Sequence, residues 1–288
     1  MITNNDIIYF VLTDRFRKGK STNSAPTNPS DPNGWHGGNF QGLIDAIPYF
    51  KNLGVSAIWI TPVYLSVGAT NASEGYHGYW AMDFEKIDPH LCAQNADYAD
   101  KPKQYLADLV AEFHKNDLKV ILDVVVNHTG YHTQAYHDYD EKRFSAWDFN
   151  EHDPSSEIKG SLCGLPDLNH DSPYVRDYFV HNLLSWIEET GIDGLRMDTA
   201  KHVEKAFWYY FKSTVKTRCP KTTLIGEILK SSQHDIEELA NYQKKHDFDS
   251  VFDFPLRTTA INCFAHGAPL TQLARPRLHE YEPKGVLD

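Results

Sequence analysis

A chain of 288 residues with 41 % hydrophobic and 23 % charged side chains can bury a substantial core within one α/β domain. Its 39 acidic residues outnumber 28 basic ones, and the net charge of −11 argues against nucleic acid as a partner. No apolar run approaches the roughly 18–20 residues that span a bilayer.

The N-terminal Met1–Asp6 lacks the basic-then-apolar order of a signal peptide, so the chain is expected either to stay in the cell or to have lost a leader. Apolar, β-branched runs at Ile7–Leu12, Val55–Ile60, Lys119–Val126, Ile192–Met197, Thr223–Gly226 and Ser250–Phe254 predict six strands. Their continuous rather than alternating apolar character fits a sheet covered on both faces. Helical patterns lie between them at Gly42–Leu53, Lys103–Asn116, Pro173–Thr190, Val203–Arg218 and Asp235–Lys245. Asp171 and Ser172 precede the helix at Pro173 as caps, and Gly191 stops it.

Such a βαβα series predicts a parallel barrel or a doubly wound sheet. No Gly-rich phosphate loop follows the first strand, and chemically loaded residues follow several strands, which favours a (β/α)8 TIM barrel. Six strands fall short of eight, so the barrel is expected to be incomplete. Residues 127–166, rich in Tyr, His and Asp, break the rhythm as an insertion (domain B) after the third strand. They divide the barrel into a first part, 1–126, and a second part, 167–288. Four dispersed cysteines (Cys92, Cys163, Cys219, Cys263) show neither CxxC nor metal-ligand spacing.

Asp198 and Glu227 each stand just past a strand, 29 positions apart, where parallel strands converge on one mouth. Two acids in a cleft are the minimal equipment for cleaving a glycosidic bond, although each alone could equally cap a helix or pair with an arginine. Arg196, two residues before Asp198, shares its strand face and can hold a carboxylate ionised, with Asp123 as a natural partner. His128 and Asn127 follow the third strand, and Lys201 and His202 the fourth; the histidines could hydrogen-bond sugar hydroxyls or serve structure. The run Tyr76-His-Gly-Tyr-Trp80, with His77, Tyr79 and Trp80, could stack on a pyranose or simply pack. Asn127-His-Thr and Asn71-Ala-Ser match the common glycosylation tripeptide.

Asp123-Val-Val-Val-Asn-His128, Gly194-Leu-Arg-Met-Asp-Thr-Ala-Lys-His202 and Gly226-Glu-Ile-Leu229 resemble three signature regions of the α-amylase family of glycoside hydrolases. Leu165-Pro-Asp-Leu-Asn169, the aromatic run, Phe40-Gln-Gly42 and Ala57-Ile-Trp-Ile-Thr-Pro62 match in the same order over the whole chain. The resemblance implies retaining hydrolysis of α-1,4-glucans such as starch, with Asp198 as nucleophile and Glu227 as acid/base. It implies sugar contacts at Arg196, His128 and Tyr79, and further subsite contacts at Gln41, Lys201 and His202. It also implies a structural calcium between domain B and barrel, held by side chains of Asn127 and Asp167 and the His202 carbonyl.

Two departures qualify this. The chain ends before the family's fourth region, which carries a further catalytic Asp, so activity of this chain alone is expected to fall by orders of magnitude or vanish. Lys18 in Arg17-Lys-Gly-Lys20 stands where relatives often carry an acid for a second calcium. Lys201-His202 resembles α-amylases and cyclodextrin-forming transferases, and Cys163, where such transferases place a large aromatic, favours hydrolysis over cyclisation. An α-glucan transferase, a non-catalytic glucan-binding fragment and a chain completed by a second polypeptide are the alternatives.

Overall fold

The computed structural model describes residues 1–20, 25–68, 74–92, 101, 103–131, 144–244 and 247–274; the tripeptide at Asn71 lies outside them. In chain order the elements are β1 (Ile8–Val11), α1 (Thr13–Phe16), α2 (Phe40–Asp45), α3 (Ile47–Leu53), β2 (Ala57–Ile60), β3 (Tyr64–Ser66) and β4 (Ala81–Ile87). There follow α4 (Gln104–His114), β5 (Lys119–Val124), α5 (Pro173–Thr190), β6 (Gly194–Met197), α6 (Lys205–Arg218), β7 (Thr223–Gly226), α7 (Ile236–Lys244), β8 (Ser250–Val251) and α8 (Phe254–Ala265).

Six strands form one parallel sheet in the order β1-β2-β5-β6-β7-β8, each pairing with the next in sequence apart from the β3-β4 excursion. This is the consecutive neighbour order of a barrel wall, not the reversing order of a doubly wound sheet. Among the described residues β1 and β8 each have one neighbour, so the wall is open, as six predicted strands implied. No helix of the described residues is long and apolar enough to cross a membrane.

Four boundaries differ from the sequence pattern. The stretch Gly42–Leu53 is two helices, because Pro48 lacks an amide proton and its ring opposes continuation of α2. A two-stranded antiparallel ribbon, β3 with β4, lies outside the main sheet; its acidic residues, Asp83 and Glu85, masked it as a strand pattern. The last strand stops at Val251, and Asp253 accepts a hydrogen bond from the Leu256 amide to cap α8, which the pattern did not predict. β5 ends at Val124, leaving Val125 and Val126 buried beyond the strand.

The core has two layers. The larger lies between sheet and helices, where Trp186, Trp208, Phe113, Phe179, Phe207 and Phe211 are almost wholly buried. Rings of this size dominate burial, each covering about 150–250 Å². The smaller lies on the concave face of the wall: Ile2, Ala57, Ile121 and Ile225, flanked by Ile8, Trp59 and Phe252. A cavity of about 190 Å³ opens there, lined also by Phe10 and Arg196. All four cysteines are free.

Candidate active site

Register creates the site. Met197 lies opposite Gly226 across the β6–β7 ladder, so the next residues, Asp198 and Glu227, emerge side by side at the carboxyl end of the sheet. The Asp198 amide donates to the Val124 carbonyl (2.9 Å) and the Glu227 amide to that of Met197 (3.0 Å), which extends the ladder one step past both strands. Gly226 is required by space: a Cβ there would lie 2.6 Å from the Phe248 ring. Thr199 then turns in the left-handed region (φ 48°), and its amide donates to Glu227 Oε2 at 3.0 Å.

One guanidinium joins the acids. Arg196 Nη1 donates to Asp198 Oδ1 (2.9 Å) and to Asp123 Oδ1 (2.8 Å), while Nη2 pairs with Glu227 Oε1 (2.7 Å). Asp123 and Arg196 are register partners on β5 and β6, as expected from the strand pattern. Asp123 also accepts from Tyr79 Oη (2.7 Å) and Trp59 Nε1 (3.0 Å). Trp59, on β2, further lies 5.0 Å beneath the guanidinium. Its role was not apparent in the sequence, although it stands within a quoted motif.

Burial dominates the electrostatics. It pushes Asp123 up to about 7 against the pull of Arg196. It also raises Asp198, while Arg196 and hydrogen bonds from Thr199 and Glu227 act in the opposite direction. Burial opposes the charge of Arg196, yet the surrounding acids outweigh it and hold the guanidinium protonated. The arrangement is therefore one cation against three acids: the Asp123 side chain is wholly buried, whereas those of Asp198 and Glu227 keep 12 % and 21 % of their surface exposed.

The aromatic run connects β3 to β4 and folds over this cluster. Gly78 permits it: its φ is +84°, and a Cβ would lie 2.1 Å from the Pro62 carbonyl oxygen. The His77 ring is stacked beside Tyr79, and its Nδ1 accepts from the Tyr79 amide (3.1 Å). His128 Nε2 bonds the Tyr79 carbonyl (3.2 Å), and Trp80 meets His77 edge-on. Burial holds both His77 and His128 down to about 4, with Arg15 acting further on His77, so both are neutral rings at pH 7.

Lys201 and His202 reach instead to the inserted segment. Lys201 Nζ pairs with Glu157 (3.5 Å), and His202 Nδ1 bonds the Glu157 carbonyl (2.5 Å). Lys230, beyond β7, approaches the same carboxylate at 4.0 Å. Glu157 and Lys230 carry no local sequence pattern that marks them; only the fold gathers them. Gln41 lies on α2 with its amide donated to Asp45 (2.8 Å), and no described contact links it to the acids.

The residues implied for calcium form a seam. His128 and Asp167 bridge as antiparallel partners, and the Leu168 amide donates to the Asn127 carbonyl (2.8 Å). His202 is close enough to His128 to influence its titration. Asp167 is only 2 % exposed; Oδ2 accepts from Asn150 Nδ2 (3.0 Å), whereas Oδ1 is buried without a hydrogen-bond partner. Burial pushes its carboxyl up to about 7. An orphaned, buried carboxylate oxygen is an acceptor suited to a hard cation. Among the described residues no three His, Cys, Asp or Glu side chains cluster as a metal site. The implied set needs only one carboxylate, one amide and one backbone carbonyl.

The catalytic-domain model of the α-amylase family matches residues 10–161 and 139–284. The chain belongs to the α-amylase family of glycoside hydrolases. It is 35 % identical over 283 residues to the β/α-amylase of Paenibacillus polymyxa, covering 92 % of this chain and 22 % of that protein. It is 31 % identical to a cyclomaltodextrinase of Thermoanaerobacter pseudethanolicus, covering 91 % and 45 %. Among solved structures, an Anoxybacillus α-amylase superposes with TM-score 0.77 at 38 % identity, over 91 % of this chain and 55 % of that one. The Geobacillus thermoleovorans α-amylase, complexed with acarbose, gives 0.74 at 34 %, over 90 % and 54 %. The chain thus spans less than half the length of the two curated relatives and about half that of the two structures.

Proposed function

We propose that this chain carries the two-acid centre of a retaining, endo-acting hydrolase of α-1,4-glucans, the chemistry of starch breakdown. The observation that carries the reading is the placement of Asp198 and Glu227 on adjacent strand ends, both within 3 Å of one guanidinium. A retaining mechanism needs two carboxyl groups close together, with unequal tasks.

In the first step an Asp198 oxygen attacks the anomeric carbon while Glu227 delivers its proton to the glycosidic oxygen, whose bond to that carbon breaks. Arg196 stabilises Asp198 as the carboxylate, since its charge opposes the rise that burial causes. In the second step Glu227 takes a proton from water, the oxygen of which attacks the same carbon and releases Asp198. Microscopic reversibility gives one residue both acid and base roles. Tyr79 presents a ring to the sugar, while His77, Trp80, His128, Lys201 and His202 supply the surrounding contacts, and Gln41 completes the proposed set.

Calcium, held by Asn127, Asp167 and the carbonyl of His202, would neutralise the buried Asp167 and tie the inserted segment to the barrel wall. A glucan transferase on the same scaffold is the second reading. It is supported by the TM-score of 0.79, at 27 % identity, to the structure of a cyclomaltodextrin glucanotransferase.

Reducing-sugar release from soluble starch, with calcium present, tests the proposal. Activity of the 288-residue chain, or of a version extended by the remaining barrel strands, should disappear in Asp198→Asn and Glu227→Gln. Turnover that survives both substitutions would refute it. Maltoheptaose products longer than seven units would assign the transferase instead.

A further inference from the structure

Asp167 is not the only orphaned carboxylate in its seam. Glu204, at the amino end of α6, also has a buried oxygen, Oε1, with no hydrogen-bond partner, and its side chain does not cap the helix. The first turn of α6 packs on the 167–171 segment, with the His170 and Phe207 rings 4.4 Å apart. Glu204 and Asp167 are close enough to act on each other electrostatically. Asp171 adds a third negative charge, and Lys159 is the positive group that acts on Glu204.

Two buried carboxylate oxygens without donors are costly as anions, and either a proton or a bound cation relieves that cost. No side chain of the described residues supplies that cation by direct contact. Glu204 lies two residues beyond His202, whose carbonyl is already counted in the seam. Chain connectivity therefore holds the Glu204 backbone close to that carbonyl, and its buried Oε1 has no competing hydrogen-bond partner.

We propose that Glu204 is a calcium ligand of this chain, adding a second carboxylate to Asn127, Asp167 and the His202 carbonyl. The inference rests on the calcium reading above and assigns a residue to it. Two carboxylates balance a divalent ion, and all four donors are oxygens, the hard ligands calcium prefers. Its consequence is mechanical: the ion would tie the 127–168 seam directly to α6, the helix that follows the nucleophile strand.

Calorimetric titration of calcium into the 288-residue chain, Glu204→Gln, Asp167→Asn and Asp171→Asn tests the assignment. Glu204→Gln should weaken calcium binding by about tenfold or more, since ligand charge sets affinity in such sites. Asp167→Asn should weaken it at least as much. The exposed Asp171→Asn should leave it within about twofold, as expected for a screened surface charge. Without calcium, Glu204→Gln should melt no lower than the parent, because it removes a buried repulsion. Terbium luminescence lifetimes in H2O and D2O should count one more coordinated water in Glu204→Gln. An unchanged affinity or water count in Glu204→Gln, with Asp167→Asn impaired, overturns the assignment of Glu204 alone. No calcium binding by the parent chain overturns the calcium reading and this assignment together.

Discussion

At the scale of single residues the centre is an arginine surrounded by acids. Asp123 is fully buried and accepts three hydrogen bonds, two from neutral rings and one from Arg196. Removing the guanidinium leaves that carboxylate without a counter-charge in a dry site. Arg196→Met should therefore cost about 3–5 kcal/mol of stability at pH 8, the range for breaking a buried pair. The loss should shrink toward pH 5, because an unpaired Asp123 escapes by taking a proton. Urea denaturation at both pH values measures this; a loss independent of pH would mean that packing, not charge, is what Arg196 supplies. The pairing of Arg196 with Asp123 and Asp198 was legible from strand spacing. That the same guanidinium also holds Glu227 was not, because Glu227 lies on another strand.

At the scale of elements, the connection between β3 and β4 shows what a motif needs to work. The aromatic run was visible in the sequence, but whether its rings pack or face the cleft was not. Gly78 decides it by turning the chain where any side chain would collide with Pro62. Gly78→Ala should destabilise the protein by more than about 1 kcal/mol, since it combines strain at positive φ with a steric clash. It should also weaken sugar binding by displacing His77 and Tyr79. Thermal melting and acarbose titration test the two effects separately; a variant with unchanged melting would show that the backbone relaxes freely here. The ribbon itself escaped prediction because β3 is three residues long and β4 carries charges. The two-helix break at Pro48 had a signal in that proline, which the apolar periodicity of Gly42–Leu53 overrode.

At the scale of the whole molecule, two consequences follow from what the fold buries and what it leaves open. His77, His128 and His170 are held down to about 4, largely by burial, against 6.5 in an unfolded chain. Their neutral forms contribute stability that is complete above pH 6.5 and is lost as pH falls toward 4. Each contributes a slope of up to about 1.4 kcal/mol per pH unit. Asp123 and Asp167, pushed up to about 7, slope the other way between pH 4 and 7. The cleanest measurement is a difference. The gap in unfolding free energy between the parent and His170→Gln should be largest near pH 7 and narrow toward pH 4, and a constant gap would contradict the burial argument. The second consequence concerns the open wall. Ile7, just before β1, and Phe10, within it, are 59 % and 47 % exposed, and Phe10 lines an apolar cavity. Unpaired strands with apolar faces invite association. The 288-residue chain should bind a hydrophobic dye and sediment as a concentration-dependent oligomer, less so with Phe10→Lys. A monomer across the concentration range would show that the edge is protected.

The alternation of continuous apolar runs with amphipathic stretches determined the parallel strands and the positions near their ends of Asp123, Arg196, Asp198 and Glu227, while the missing phosphate loop and the spread of chemically loaded residues over several strand ends favoured the barrel order. Those signals are local: burial on both faces of a strand demands an apolar run, and side-chain period assigns faces. Only the tertiary structure decided which carboxylates share one guanidinium, which histidines are neutral, and that Trp59, Glu157 and Glu204 belong near the site. Such facts depend on register between strands and on packing between segments far apart in the chain. Local periodicity carries no information about that distance, because desolvation and Coulomb energy act through space rather than along the sequence.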